Sequence, residues 1–164
     1  MYAFSVAVFV VFGWSLRGFF NLLPSFLRNQ TPNGILGILS YMMAFALVES
    51  LLVIGGLVLA SLVLPGKWYK EGFAHKSFLI ILVAAIWIIR LQGYLSDEWP
   101  AKEILIQGFG VAFLILILLL VIVHFLKPLQ NLVLEVEDRL QVFLYLYIPI
   151  GILGILIIVI RNLA

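Results

Sequence analysis

The chain has 164 residues, of which 65% are hydrophobic and 11% are charged, and its formal net charge is +2. Soluble domains are on average about half apolar and about a quarter charged, so this composition indicates a membrane protein. The small net charge and the lack of a dense basic patch argue against a nucleic-acid partner. The absence of cysteine excludes disulfides, thiolate metal sites and cysteine nucleophiles.

The first predicted transmembrane span covers residues 3–23 and ends at Pro24. No basic residue precedes its apolar run, and Arg17 lies inside it, which is unlike a cleaved secretory signal. We therefore expect a retained span. Arg17 lies near its end, where the long side chain can reach the headgroups. The alternatives are an inward-facing partner for a buried acid or a contact with a lipid phosphate.

The second predicted span, residues 35–64, is the longest apolar stretch of the chain. A helix of about thirty residues reaches roughly 45 Å, more than the roughly 30 Å hydrocarbon slab of a bilayer. Glu49 lies halfway along it, and an unpaired charge there costs at least about 2 to 3 kcal/mol. Glu49 is therefore expected to be protonated, paired or facing a polar cavity. Gly56 and Ala60 form a small-xxx-small pair typical of close helix packing.

A basic, aromatic connection follows the second span. Lysines beside Trp and Tyr are typical of the membrane interface, so we predict interfacial anchoring by Lys67, Trp68, Tyr69, Lys70 and Lys76. The third predicted span covers residues 78–95. The fourth covers residues 104–125 and contains a second small-xxx-small pair, Gly108 and Ala112.

The last part of the chain is predicted to form two helices. Residues 128–140 repeat apolar side chains at helical spacing with polar side chains between them, which favours an amphipathic helix lying on the membrane surface. Such a helix serves either as a connector or as a docking surface for a soluble partner. The fifth span is predicted over residues 142–160, where Pro149, Gly151 and Gly154 are expected to bend or loosen the helix.

Positive charges set the predicted orientation. Five spans place the two termini on opposite sides, and the lysines of the second connection favour a cytoplasmic N-terminus with the C-terminus outside. The predicted location is the cell membrane, with a multi-pass topology.

Depth along the helices predicts an intramembrane polar layer. A short connection favours an antiparallel hairpin of spans two and three, and counting at about 1.5 Å per residue places Glu49 and Arg90 at similar depth. The predicted layer consists of Glu49, Arg90, Gln107, Tyr41 and Ser50, with Arg17 as an additional charge. A Glu49–Arg90 pair either fixes helix register or forms a polar, proton-carrying site. Alternatively, Glu49 is neutral and Arg90 extends to the acidic face.

Enzymatic chemistry finds little support in the sequence. His75 and His124 are expected on the same membrane face, but ligand spacing for a metal is absent. No catalytic triad, phosphate loop or zinc-protease motif is present. We therefore predict no catalytic residues, no metal, no cofactor and no enzymatic activity.

These observations predict an all-α, polytopic membrane helix bundle, with five transmembrane helices and one interfacial helix in a single domain over residues 1–164. The leading functional hypothesis is a non-catalytic, helix-packing subunit or scaffold of a membrane assembly, with the lipid bilayer and either a second copy or other membrane subunits as partners. The alternative is a small oligomeric transporter or channel that moves a proton or small solute past the Glu49 and Arg90 layer. A membrane-embedded enzyme ranks third.

Overall fold

The protein is an all-helical bundle. The computed structural model describes residues 2–63, 72–94 and 102–163, and no strand occurs within these ranges. The helices are α1 (Tyr2–Asn29), α2 (Pro32–Val63), α3 (Phe73–Tyr94), α4 (Lys102–Phe125) and α5 (Lys127–Leu163). All five are long and apolar enough to cross a membrane. The predicted all-α class is confirmed, and so is the presence of five helices with the length and apolar character of a membrane span.

The first two helices are separated by only two residues. Thr31 caps α2, because its Oγ1 accepts a hydrogen bond from the backbone N–H of Gly34 at 3.2 Å. Pro32 follows as the first helical residue, where its missing N–H costs nothing. The prediction that the first span ends at Pro24 is wrong for the helix itself, since α1 continues through this proline to Asn29. Transmembrane helices tolerate an internal proline when neighbouring groups satisfy the freed carbonyl.

The fifth helix is one continuous element, where the sequence predicted an interfacial helix followed by a span. The two predicted segments form one helix because residues spaced alternately by four and three make a continuous stripe. This stripe keeps the same side of α5 against the bundle through both segments. Its members are buried or half-buried: Val133, Glu137, Leu140, Leu144, Tyr147, Gly151 and Gly154. Pro149 lies off this stripe and does not interrupt the helix.

The core lies among α1, α2 and α5, which pack most extensively against one another. Gly154 lies so close to α2 that an added Cβ would stand 2.7 Å from the carbonyl oxygen of Ser40 and 3.2 Å from the backbone nitrogen of Ala44. Two turns earlier on α5, the ring of Tyr147 stacks on that of Phe12 with their centroids 5.0 Å apart. Small residues and stacked rings therefore hold this three-helix core together.

The remaining two helices form a peripheral layer. Among the described residues, α3 packs against α1, α4 and α5, and α4 packs mainly against α3 and α5. Within the described ranges, α2 and α3 do not pack directly as neighbours, although they are consecutive in the chain. The extensive direct packing expected of a hairpin of spans two and three is therefore not found among the described residues, because α1 packs against both helices.

Candidate functional site

Two grooves flank α3 on the lateral surface of the bundle. The first, the Glu49 groove, has a volume of about 580 Å³ and is formed by α1, α2 and α3. It contains Val10, Trp14, Arg17, Glu49, Val53, Ala85 and Ile89. Apart from Arg17 and Glu49, its lining is almost entirely apolar. This groove therefore holds one acid and one base of the predicted polar layer.

The second groove, the Arg90 groove, lies between α3 and α4. Its volume is about 470 Å³, and it contains Val83, Trp87, Arg90, Gln107, Val111 and Ile115. Arg90 and Gln107 are thus brought together, but away from Glu49. The predicted layer is divided between the two sides of α3.

The predicted ion pair between Glu49 and Arg90 is not formed. No ion pair within 4.0 Å joins Glu49 and Arg90, whereas Glu135 and Arg139 form one on the exposed side of α5. Counting residues along a helix gives depth, whereas the direction of a side chain depends on rotation about the helix axis. Arg90 is rotated by roughly 120° from the side of α3 that carries Ala85 and Ile89.

Arg17 is held at the rim of the Glu49 groove by an aromatic neighbour. Its Cζ lies 5.3 Å from the centre of the Trp14 ring, one turn earlier on α1, which is cation–π geometry. Both Arg17 and Glu49 are exposed on the lateral surface. The groove therefore contains two residues of opposite charge, Arg17 and Glu49, with no ion pair within 4.0 Å joining them.

The other two members of the predicted layer lie elsewhere. The hydroxyl of Ser50 is fully buried and donates to the carbonyl of Ala46 at 2.7 Å. The Tyr41 hydroxyl accepts a hydrogen bond from the side-chain amide of Asn162 at 3.4 Å, which connects α2 to the end of α5. Neither side chain lines the Glu49 groove.

One face of α2 is exposed along most of its length. Residues spaced by three or four along this face are all exposed, and we call them the α2 stripe: Phe45, Glu49, Leu52, Gly56 and Leu59. An added Cβ at Gly56 would meet nothing within 4 Å. Within the described residues, Gly56 of the predicted small-xxx-small pair is therefore not used for close helix packing.

Glu137 is the buried acid that the sequence interpretation missed. Its side chain is 0% exposed, and within the described residues neither carboxylate oxygen has a hydrogen-bond partner. The hydroxyl of Ser5 on α1 lies 3.4 Å from its backbone carbonyl oxygen. The sequence assigned Glu137 to the polar side of an amphipathic helix. Extending the four–three spacing of the last span backwards through Leu140 would have placed it on the buried stripe.

A small cavity of about 220 Å³ lies where α3 begins and α4 ends. His75, Lys76, His124 and Gln130 line it together. Gln130 donates to the carbonyls of Val123 and His124 at 2.8 and 3.1 Å, and so caps the end of α4. The two histidines share this cavity, but the described part of the chain contains no group of three or more potential metal ligands.

Lys76 does not occupy the position expected of an interfacial anchor. Only 4% of the residue is exposed, because it lies in the first turns of α3 on the side that faces the bundle. The other predicted anchors, Lys67, Trp68, Tyr69 and Lys70, lie outside the described residues.

Comparisons with protein-family models, with curated proteins and with solved structures gave no match. The geometry of the bundle is therefore the basis for a functional assignment.

Proposed function

We propose that this chain is a non-catalytic subunit of a membrane assembly, and that its function is to pack against further transmembrane helices. The observation that carries the proposal is the Glu49 groove. It exposes Arg17 and Glu49 to the surroundings at the side of the bundle. A side surface of this kind faces lipid unless another helix covers it.

Electrostatics supports a covering helix. A charged side chain in the hydrocarbon region costs at least about 2 to 3 kcal/mol unless it is paired or faces a polar surface. A neighbouring helix that supplies the opposite charge removes this cost and adds polar contacts of about 1 kcal/mol. The exposed α2 stripe gives such a helix an apolar surface with a glycine at which the two backbones can approach closely.

The transport alternative is less well supported. It needs Glu49 and Arg90 to face a common pathway, whereas the two side chains line separate grooves on either side of α3. Each groove lies at the side of the bundle between neighbouring helices.

In the proposed arrangement the helices are inserted in the cell membrane with the N-terminus cytoplasmic and the C-terminus outside. The first part of α5, over residues 128–140, lies near the membrane surface, and the basic connection after α2 is on the cytoplasmic side. The partners are the lipid bilayer and either other copies of the chain or other membrane subunits. We propose no catalytic role, cofactor, metal or nucleic-acid partner.

The test is purification from native membranes in a mild detergent, followed by measurement of mass and composition. We expect a homo-oligomer or a stoichiometric complex with another membrane protein. Arg90→Gln is the matched control for Glu49→Gln, because it changes a charge in the other groove. Glu49→Gln is expected to weaken the assembly while Arg90→Gln leaves it intact. A wild-type chain recovered as a monomer without any partner would contradict the proposal.

A further inference from the structure

The Glu49 groove carries complementary charges on two different helices. Arg17 belongs to α1, which forms the floor of the groove, and Glu49 belongs to α2, which forms one wall. In a dimer with two-fold symmetry the same surface is used twice, so that residue i meets residue j and residue j meets residue i. A surface with one acid and one base is therefore complementary to a second copy of itself.

We propose that the partner of this groove is a second copy of the chain, arranged so that Arg17 of each protomer pairs with Glu49 of the other. This inference rests on the proposed function and names the partner. In this arrangement the α2 stripe of each protomer lies in the Glu49 groove of the other.

The depths of the two residues permit this pairing between protomers inserted in the same direction. Arg17 lies 12 residues before the end of α1, and Glu49 lies 17 residues after the start of α2. The two helices are antiparallel, so the difference of five residues corresponds to about 7 Å along the bundle. The long, flexible stem of arginine covers such an offset while its charged end reaches the acid.

The α2 stripe provides a second, independent reason. Gly56 lies on the same face of α2 as Glu49, two turns further along, and nothing within 4 Å of an added Cβ covers it. Glycine at a helix surface lets two backbones come close, which is the main source of helix association in lipid. Leu52 lies between them and is 69% exposed. A charged residue, a glycine and an exposed apolar side chain thus lie on one continuous face of α2.

The decisive experiment mixes two charge-reversal variants. Arg17→Glu alone places two acids in every groove, and Glu49→Arg alone places two bases there. Each variant by itself is therefore expected to self-associate at least about thirtyfold more weakly than the wild type, since breaking a buried charge pair typically costs 2 kcal/mol or more. A mixture of the two variants restores both pairs across the interface. The affinity between protomers in this mixture should lie within a few-fold of the wild-type affinity.

The measurement is energy transfer between two fluorescent labels in liposomes, as lipid is added to dilute the protein. Gly56→Leu is expected to weaken association as well, and Gly110→Leu on α4, another glycine with open space around it, is the matched control that leaves it unchanged. Circular dichroism and thermal melting of each variant test for a loss of the fold. If a reversal variant is unfolded, Arg17→Gln and Glu49→Gln replace the reversals, and each is expected to weaken self-association.

The outcomes separate this inference from the proposed function. If Arg17 and Glu49 pair inside one protomer, mixing the two reversal variants restores no association between protomers. This result would overturn the inference. Wild-type self-association in each single variant would overturn it too. A monomeric wild type that nevertheless co-purifies with a different membrane subunit would end the dimer proposal and leave the proposed function standing. A monomer with no partner would end both.

Discussion

The three-helix core and the peripheral α3–α4 pair differ in how they are held. In the core, glycines at positions 151 and 154 bring α5 against α2, and aromatic rings stack between α1 and α5. At the periphery, α4 has the highest mean hydropathy of the five spans, yet little of it is buried. Leu120 and Val123 are the only described residues of α4 that are buried.

This difference shows that apolar character does not select the core of such a bundle. Lipid tails are as apolar as leucine, so burial between helices offers no hydrophobic gain, and association depends on close packing. Small residues at the right spacing therefore decide which helices meet. The following substitutions test this view in order of expected effect.

Gly154→Ala should produce the largest loss of stability. The added methyl group meets backbone atoms of Ser40 and Ala44, which cannot move aside as a side chain can. Overpacking typically costs 1 to 3 kcal/mol, and we expect a loss of about 3 kcal/mol in the free energy of unfolding. Denaturation in mixed micelles provides the measurement. A loss under about 0.5 kcal/mol would show that α2 and α5 do not approach as closely as described.

Glu137→Leu should change stability in the opposite direction. Within the described residues the Glu137 carboxyl has no hydrogen-bond partner. A buried polar group in this situation costs about 1 to 3 kcal/mol, so removing the carboxyl should raise the free energy of unfolding by about 2 kcal/mol. Glu135→Leu is the matched control, because Glu135 is exposed and its ion pair with Arg139 is worth at most about 1 kcal/mol. Destabilisation by Glu137→Leu would instead indicate a partner for the acid.

Gly108→Ala tests the periphery with a smaller change. The added methyl group overlaps the Trp87 ring, but this side chain borders the Arg90 groove and can shift into open space. We expect a loss of about 1 kcal/mol. Gly110→Ala, two residues along the same helix, meets nothing within 4 Å and should gain about 0.5 to 1 kcal/mol from the reduced flexibility of the chain. Equal effects at Gly108 and Gly154 would remove the distinction between core and periphery.

The helical class and the five spans could be predicted because they depend on local properties. The length of each apolar run and the prolines and polar residues between runs identify a span before any tertiary contact is known. The residues at which the helices begin and end were harder to predict from the sequence. Pro24 is typical of a helix end in the sequence, yet α1 continues past it. The polar side chains near Glu135 indicated a separate amphipathic helix, so the buried stripe that continues through α5 was not predicted.

The arrangement of side chains around the candidate site could not be predicted, because it depends on helix rotation and on which helices become neighbours. Equal depth suggested a Glu49–Arg90 pair, but the packing of α1 against both α2 and α3 gave Glu49 a different neighbour, Arg17. Glu137 was missed for a related reason. A single acid among polar residues appears solvated until the opposite helix is known.

The contact at Gly154 also has a mechanical consequence. Sliding of α5 along α2 by one turn in the direction that brings its C-terminal residues to this contact would carry a larger side chain, Ile157 or Ile158, into the place where only a hydrogen atom fits. Piston-like motion between these two helices in that direction is therefore blocked.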